Sequence, residues 1–202
     1  MGWTKNFSHP DGLLGRLVLA SMNRGHTPIS KWGLGLHEWQ PDTVALDIGC
    51  GGGMNLKRLL ERCPQGKAYG VDISELSVRR SRALNRAELG HRCLIRQGSA
   101  DSIPYPSSMF DAVTAFETLY FWPDLPRAFA EILRVLKPGG TFLSVSEISD
   151  PHSVWTRLVD GIRVYSPEQL ARFLTNAGFI NVRIDRIHRT WSCVRADKPQ
   201  VQ

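Results

Sequence analysis

Cysteine is scarce in this chain. There are four, Cys50, Cys63, Cys93 and Cys193, with no CxxC pair and no spacing suited to a metal. That excludes a disulfide framework and a zinc motif, implies no metal, and points to reduced thiols in the cytoplasm. Long apolar runs are missing too. No stretch approaches a membrane span, and the opening Met-Gly-Trp-Thr-Lys-Asn has no apolar core of a leader, so no membrane partner is expected. There is no internal repeat, no low-complexity segment and no basic arm interleaved with aromatics. The net charge of +6 is spread at helical spacing. Arg79, Arg82 and Arg86 fall three and four apart, and Lys57, Arg58 and Arg62 decorate another segment. Charge so spaced reads as solvated helix face rather than a nucleic-acid surface.

What is present is a regular alternation. A chain of 202 residues with 42% hydrophobic content can bury one good core. Apolar strand patterns fall at 43–48, 67–72, 92–97, 110–116 and 141–147. Helical patterns start near 53, 74 and 124, with Leu56, Leu59, Leu60 and then Phe129, Ile132, Leu133, Leu136 as stripes. Such β and α units predict a parallel, doubly wound α/β sheet. Ser166-Pro167-Glu168-Gln169 is a capping box opening a helix that Gly178 ends. Strands at 180–187 and 190–196, joined at His188-Arg189, then read as an antiparallel hairpin, the sixth and seventh strands. Residues 1–40 stand apart. Asp11 caps a helical pattern (Leu14, Leu17, Val18, Met22), and a Gly/Pro-punctuated stretch through Trp32-Gly33-Leu34-Gly35 follows.

The most informative stretch is Ala45-Leu46-Asp47-Ile48-Gly49-Cys50-Gly51-Gly52-Gly53. An apolar strand ends there in glycines where backbone can pass against a ligand with no Cβ in the way. Asp72 closes the next strand, where a carboxylate can accept both hydroxyls of a ribose. A nucleoside-bearing ligand is expected. It is not a dinucleotide, because the third glycine of G-x-G-x-x-G falls at Met54, and no Gly-Lys-Ser/Thr follows to make a phosphate loop. The acid beside the loop suits a ligand carrying an ammonium group.

In these residues the chain resembles the class I S-adenosylmethionine-dependent methyltransferases. Leu46–Gly53 resembles the family's first motif and Gly70-Val71-Asp72-Ile73-Ser74 its second. Gln97-Gly98-Ser99-Ala100-Asp101 and Phe110-Asp111-Ala112-Val113 resemble the third and fourth. Arg134–Gly140 is similar to the turn before the fifth strand. The likeness runs in order from about residue 43 to 185. It implies a single Rossmann-like domain over 41–202, with a mostly parallel seven-stranded sheet closed by an antiparallel strand, and a helical lid over 1–40. It implies S-adenosylmethionine as cofactor. Asp47 and Gly49, with Cys50 and Gly51, would hold its methionine end, and Asp72 its ribose. Ile73 would pack on the adenine beside Ser99, Ala100 and Asp101, with Phe116 at the end of the fourth strand.

The acceptor end is less determined. Where amino-methylating DNA enzymes carry Asn/Asp-Pro-Pro-Tyr/Phe, this chain has Phe116-Glu117-Thr118-Leu119-Tyr120-Phe121-Trp122, a departure that suits a small-molecule acceptor. Candidates for a general base are His26, Glu117 and His152. Candidates for contact with the acceptor are Trp32, Tyr120 and Tyr165. Asp111 reads as a strand-entry residue, and Lys137-Pro138-Gly139-Gly140 as a helix stop. A monomer or homodimer acting on a small molecule, without nucleic acid, is expected. An RNA methyltransferase, a nicotinamide-dependent oxidoreductase and a non-catalytic cofactor-binding regulator stay open as alternatives.

Overall fold

A computed structural model describes residues 27–153, 156, 162–187 and 190–200. The parallel core is built from β1 (Val44–Ile48), α2 (Met54–Arg62), β2 (Lys67–Asp72), α3 (Glu75–Leu84), β3 (Cys93–Gln97), β4 (Phe110–Phe116), α4 (Leu125–Val135) and β5 (Leu136–Ser146). Before it stands α1 (Thr27–Gly35), and after it α5 (Pro167–Ala177), β6 (Ile180–Ile187) and β7 (Trp191–Asp197). The seven strands lie in the order β3-β2-β1-β4-β5-β7-β6. β1 pairs in parallel with both β2 and β4, so the strand order reverses between β1 and β4. β7 runs antiparallel to β5 and to β6. The doubly wound sheet and the closing hairpin expected from the alternation are both present.

The strands read as continuous apolar runs because both faces of the sheet are covered. Leu46, Ile48, Val113 and Phe142 belong to a cluster with the stripes of α4 and α5. Ala45, Ala68, Ile95 and Val145 belong to a second cluster with Ile29 and Leu34 of α1 and the leucines of α2. In the first, Phe129, Phe142 and Phe179 pack with ring centroids 6.0–6.4 Å apart. Each such fully buried ring contributes about 1.5–3 kcal/mol relative to exposure.

The helix ends follow local chemistry. Ser74 accepts the Ser77 N–H at 3.3 Å, Asp124 accepts the Arg127 N–H at 3.0 Å, and Ser166 with Gln169 forms the expected capping box. Gly178 leaves α5 at φ +102°. One expectation needs correction. Lys137-Pro138-Gly139-Gly140 does not stop α4, which ends at Val135. Those four residues are the irregular start of β5, where pairing jumps from Phe110↔Leu136 to Ala112↔Thr141. Gly139, at φ +76°, makes the bend. Asp111 secures the same junction, accepting the Val44 N–H at 2.8 Å and pairing with Lys137 Nζ at 2.7 Å.

Helix α1 lies within the Gly/Pro-punctuated stretch. It tolerates its proline because Pro28 sits in the first turn, where no intrahelical N–H is lost. Gly33 faces the sheet. A Cβ there would lie 2.6 Å from Val145 Cγ2 and 3.0 Å from Phe116 Cε1. The helical pattern over Leu14–Met22 and the link at His188-Arg189 lie outside the described residues.

Candidate functional site

A cavity of about 350 Å³ opens at the carboxyl ends of the strands where the order reverses. That crevice is where open α/β sheets bind ligands. Its floor is the turn after β1. Gly49, Gly51 and Gly53 have φ of +71°, +51° and +82°, which residues with a side chain rarely adopt. At Gly49 space forbids a side chain as well, since a Cβ would meet Thr118 Oγ1 at 2.2 Å. Gly49 N–H and Cys50 N–H both donate to Val71 O, at 2.7 and 3.1 Å, tying the turn to β2.

Asp72 is the hub of the wall. Its Oδ2 accepts the Gly51 N–H at 2.8 Å and its Oδ1 the Ser74 N–H at 2.9 Å, and the residue is only 8% exposed. One carboxylate thus holds the glycine turn and the entry to α3 in register. Beside it Ile73 is 48% exposed, a large apolar side chain on the cavity rim. Ser99, Ala100 and Asp101 line the same end, with the Ser99 hydroxyl donating to Asp101. Cys50 lines the floor with its thiol raised well above its ordinary value by burial.

Asp47 sits under the turn, 2% exposed, and is not among the cavity-lining residues. It accepts from the Thr114 hydroxyl at 2.7 Å. Burial pushes its carboxyl up to about 7, against the pull of that hydrogen bond, and Asp72 nearby pushes the same way. Asp47 thus stands beneath the turn without lining the cavity.

At the opposite end lie Phe116, Glu117, Thr118, Phe121 and Trp122, from the end of β4 and the short 3₁₀ turn Leu119–Phe121. Glu117 has φ +56°, a conformation costing a non-glycine residue about 1–2 kcal/mol. It is 8% exposed, and its carboxyl is raised to about 7, chiefly by burial.

The other expected acceptor residues do not gather here. Tyr120 is buried behind the wall, its hydroxyl donating to Glu117 Oε2, and is not a lining residue. Trp32 turns away from the cavity and packs on Trp191, ring centroids 6.3 Å apart. Tyr165 stacks edge-on against Phe173 of α5 at 5.6 Å. His152 is exposed in a turn whose Asp150 side chain accepts its N–H at 2.8 Å, away from the lining. His26 lies outside the described residues.

The sequence reading missed Arg58. Helical spacing put it on a solvated face, but α1 docks over that face and buries it to 8% exposure. Its guanidinium donates to Asn55 Oδ1 at 2.8 Å and to Thr27 Oγ1 at 2.9 Å, and lines the cavity with Ser30 of α1. No carboxylate among the described residues forms an ion pair with it. The signal was available: Met54, Asn55 and Arg58 share the helix face that the glycine turn points into the crevice. Arg82 is likewise not a free surface charge, since it donates to Ile95 O through Nε and Nη2. No helix among the described residues is long and apolar enough to cross a membrane.

Residues 46–144 match the family model described as a methyltransferase domain. The chain is 39% identical over 132 residues to demethylmenaquinone methyltransferase of Symbiobacterium thermophilum, covering 63% of this chain and 50% of that one. It is 32% identical over 144 residues to 24-methylenesterol C-methyltransferase 2 of Oryza sativa, covering 71% and 38%. The chain thus spans half or less of the length of these relatives. Its fold matches a SAM-dependent methyltransferase from Aquifex aeolicus with a TM-score of 0.73 at 19% identity, over 89% of this chain and 93% of that one. With the glycine turn, the acid after β2 and the crevice between them now placed on one sheet, the chain belongs to the class I S-adenosylmethionine-dependent methyltransferases.

Proposed function

We propose that this protein transfers a methyl group from S-adenosylmethionine to a small-molecule acceptor. One observation carries the reading: the left-handed glycine turn, Asp72 and an exposed Ile73 border a single cavity at the strand reversal. A side chain at Gly49 would fill this cradle, and the acids and the buried Arg58 match a zwitterionic ligand with a ribose. The residues present fit the cofactor.

In this reading Asp72 accepts the two ribose hydroxyls, each oxygen keeping a free lone pair beside its backbone N–H. Ile73 covers one face of the adenine, and Ser99, Ala100 and Asp101 meet its polar edge. Arg58 holds the methionine carboxylate. Asp47 favours the ammonium from below, and Cys50 and Gly51 let the backbone approach. When bound, the sulfonium supplies an activated methyl group. The chain's own task is to hold an acceptor in line with it in a dry crevice. Helix α1 forms one wall of that crevice through Ser30, which supports a covering role for residues 1–40. The two relatives, named for a demethylated quinone and a sterol, support a small organic acceptor. Four free, buried thiols fit a cytoplasmic location.

Calorimetry with S-adenosylmethionine, followed by a screen for S-adenosylhomocysteine release over a metabolite library, tests this. Saturable binding and acceptor-dependent release are expected. Binding of reduced nicotinamide dinucleotide instead would overturn the reading.

Arg58 offers a sharper check. Arg58→Met keeps the apolar stem and removes a charge-assisted contact worth about 1.5–3 kcal/mol. Affinity for S-adenosylmethionine should fall roughly 10- to 150-fold. Affinity for adenosine, which has no carboxylate, should not change. Equal losses for both ligands would mean that Arg58 only buttresses α1.

A further inference from the structure

Glu117 is an unusual residue to find in this wall. Its backbone is left-handed at φ +56°, fixed by the Glu117 N–H donating to Val145 O at 3.0 Å. Both carboxyl oxygens are engaged from the protein side. The Tyr120 hydroxyl donates to Oε2, and the Glu147 N–H donates to Oε1 at 2.5 Å. Ser146 hydrogen-bonds Tyr120 in turn, and Trp191 Nε1 donates to Glu147 Oε1 at 3.3 Å. No arginine, lysine or histidine among the described residues pairs with Glu117.

A buried carboxyl without a cation is costly. Glutamine would avoid that cost, accepting the Glu147 N–H at its one oxygen while its amide donated to the Tyr120 oxygen. What the carboxyl adds is a place for a proton. It opens onto the cavity between Phe116, Thr118, Phe121 and Trp122, an aromatic surround suited to a flat ring.

We propose that Glu117 takes the proton from an acceptor bearing an acidic hydroxyl, a phenol or enol, and that Tyr120 is the positioning residue that holds it. This rests on the methyl-transfer reading above. The acceptor's O–H bond breaks and its proton passes to a Glu117 oxygen. The freed pair on oxygen forms the bond to the methyl carbon of the sulfonium donor. The pair of the methyl–sulfur bond stays with sulfur, which leaves as a neutral thioether. A thiol ionises readily by itself and a neutral amine attacks without a base, so neither needs this group.

The electrostatics agree in sign. Burial raises the Glu117 carboxyl to about 7 and the Glu147 carboxylate adds to the rise, while the bonds from Tyr120 and the Glu147 N–H pull it down. A base must be ionised, so turnover should climb as pH rises through about 7. Removing the Tyr120 hydroxyl removes a bond that favours the ionised form. The climb should then move to higher pH.

The test compares wild type, Glu117→Gln and Tyr120→Phe, each bearing glutamate labelled with carbon-13 at the side-chain carboxyl. The Glu117 resonance is assigned by its loss in Glu117→Gln. Its midpoint is expected near 7 in wild type and higher in Tyr120→Phe. With 1,4-hydroquinone as the probe acceptor, Glu117→Gln should lower kcat roughly 10²- to 10⁴-fold and flatten the pH profile, with cofactor affinity unchanged. Tyr120→Phe should keep KM and shift the rising limb upward. A Glu117 midpoint in the ordinary carboxylate range, or one unmoved in Tyr120→Phe, would overturn the assignment. So would a preference for 2-phenylethylamine in which Glu117→Gln raises KM alone. Failure of wild type to bind S-adenosylmethionine would sink the methyl-transfer reading itself. Retained binding with an undiminished Glu117→Gln rate would sink only the role of Glu117.

Discussion

Asp72→Ala should all but abolish cofactor binding. Two charge-assisted hydrogen bonds to a ribose are worth about 1.5–3 kcal/mol each, so affinity should fall roughly 10²- to 10⁴-fold. Adenosine should suffer the same loss, because the contact is to the sugar, which distinguishes this variant from Arg58→Met. The carboxylate also accepts the Gly51 and Ser74 N–H groups, so some loss of melting temperature should accompany it. Calorimetry well below the melting point separates the two effects. Affinity within a few-fold of wild type would remove Asp72 from the binding site.

Gly49→Ala should have the largest effect on stability. Its φ of +71° costs an alanine about 1–2 kcal/mol. The new Cβ would stand 2.2 Å from Thr118 Oγ1 and 2.7 Å from Thr118 Cβ. Relieving such overpacking costs typically a further 1–3 kcal/mol. A fall of roughly 5–20 °C in melting temperature is expected for a chain of this size. Adding Thr118→Gly removes the clash but leaves the backbone strain, so the double variant should recover only part of the loss. A single variant that melts like wild type would show that the turn rearranges freely and that its geometry is not fixed by Thr118.

Much of this architecture was legible because two periodicities dominate it. The strand patterns at 67–72, 110–116 and 180–187 coincide with β2, β4 and β6, since a short apolar run, or the apolar–polar alternation of Ile180–Ile187, has few other uses in a short segment. The glycine turn and Asp72 were legible for a different reason: their residue types are demanded by backbone geometry and by the ligand together. What the sequence hid depends on tertiary docking. Pro28 and Gly33 look like loop punctuation until Val145 and Phe116 supply the surface on which a helix without a Cβ can lie. Arg58 looks like surface until that helix covers it. Tyr120 reads as an acceptor contact because it follows β4, but the 3₁₀ turn rotates it behind Glu117. Spacing along the chain gives a face, and only the neighbouring element decides what that face meets.

The placement of β7 has a consequence for the order of assembly. β6 precedes β7 in the chain but lies outside it, pairing with no other strand among the described residues. It has nothing to pair with until β7 has formed, while β7 finds its inner partner in β5, from Thr141↔Asp197 to Ser146↔Ser192. Residues 180–197 therefore join the sheet as one hairpin, on a parallel core that α5 and Phe179 already touch. Pairing β5 with β7 closes a loop of more than forty residues, which places it among the slow, non-local events of folding. Until then the β5 edge is an open row of backbone donors and acceptors, the surface on which a nascent copy of this chain is most exposed to pairing with another.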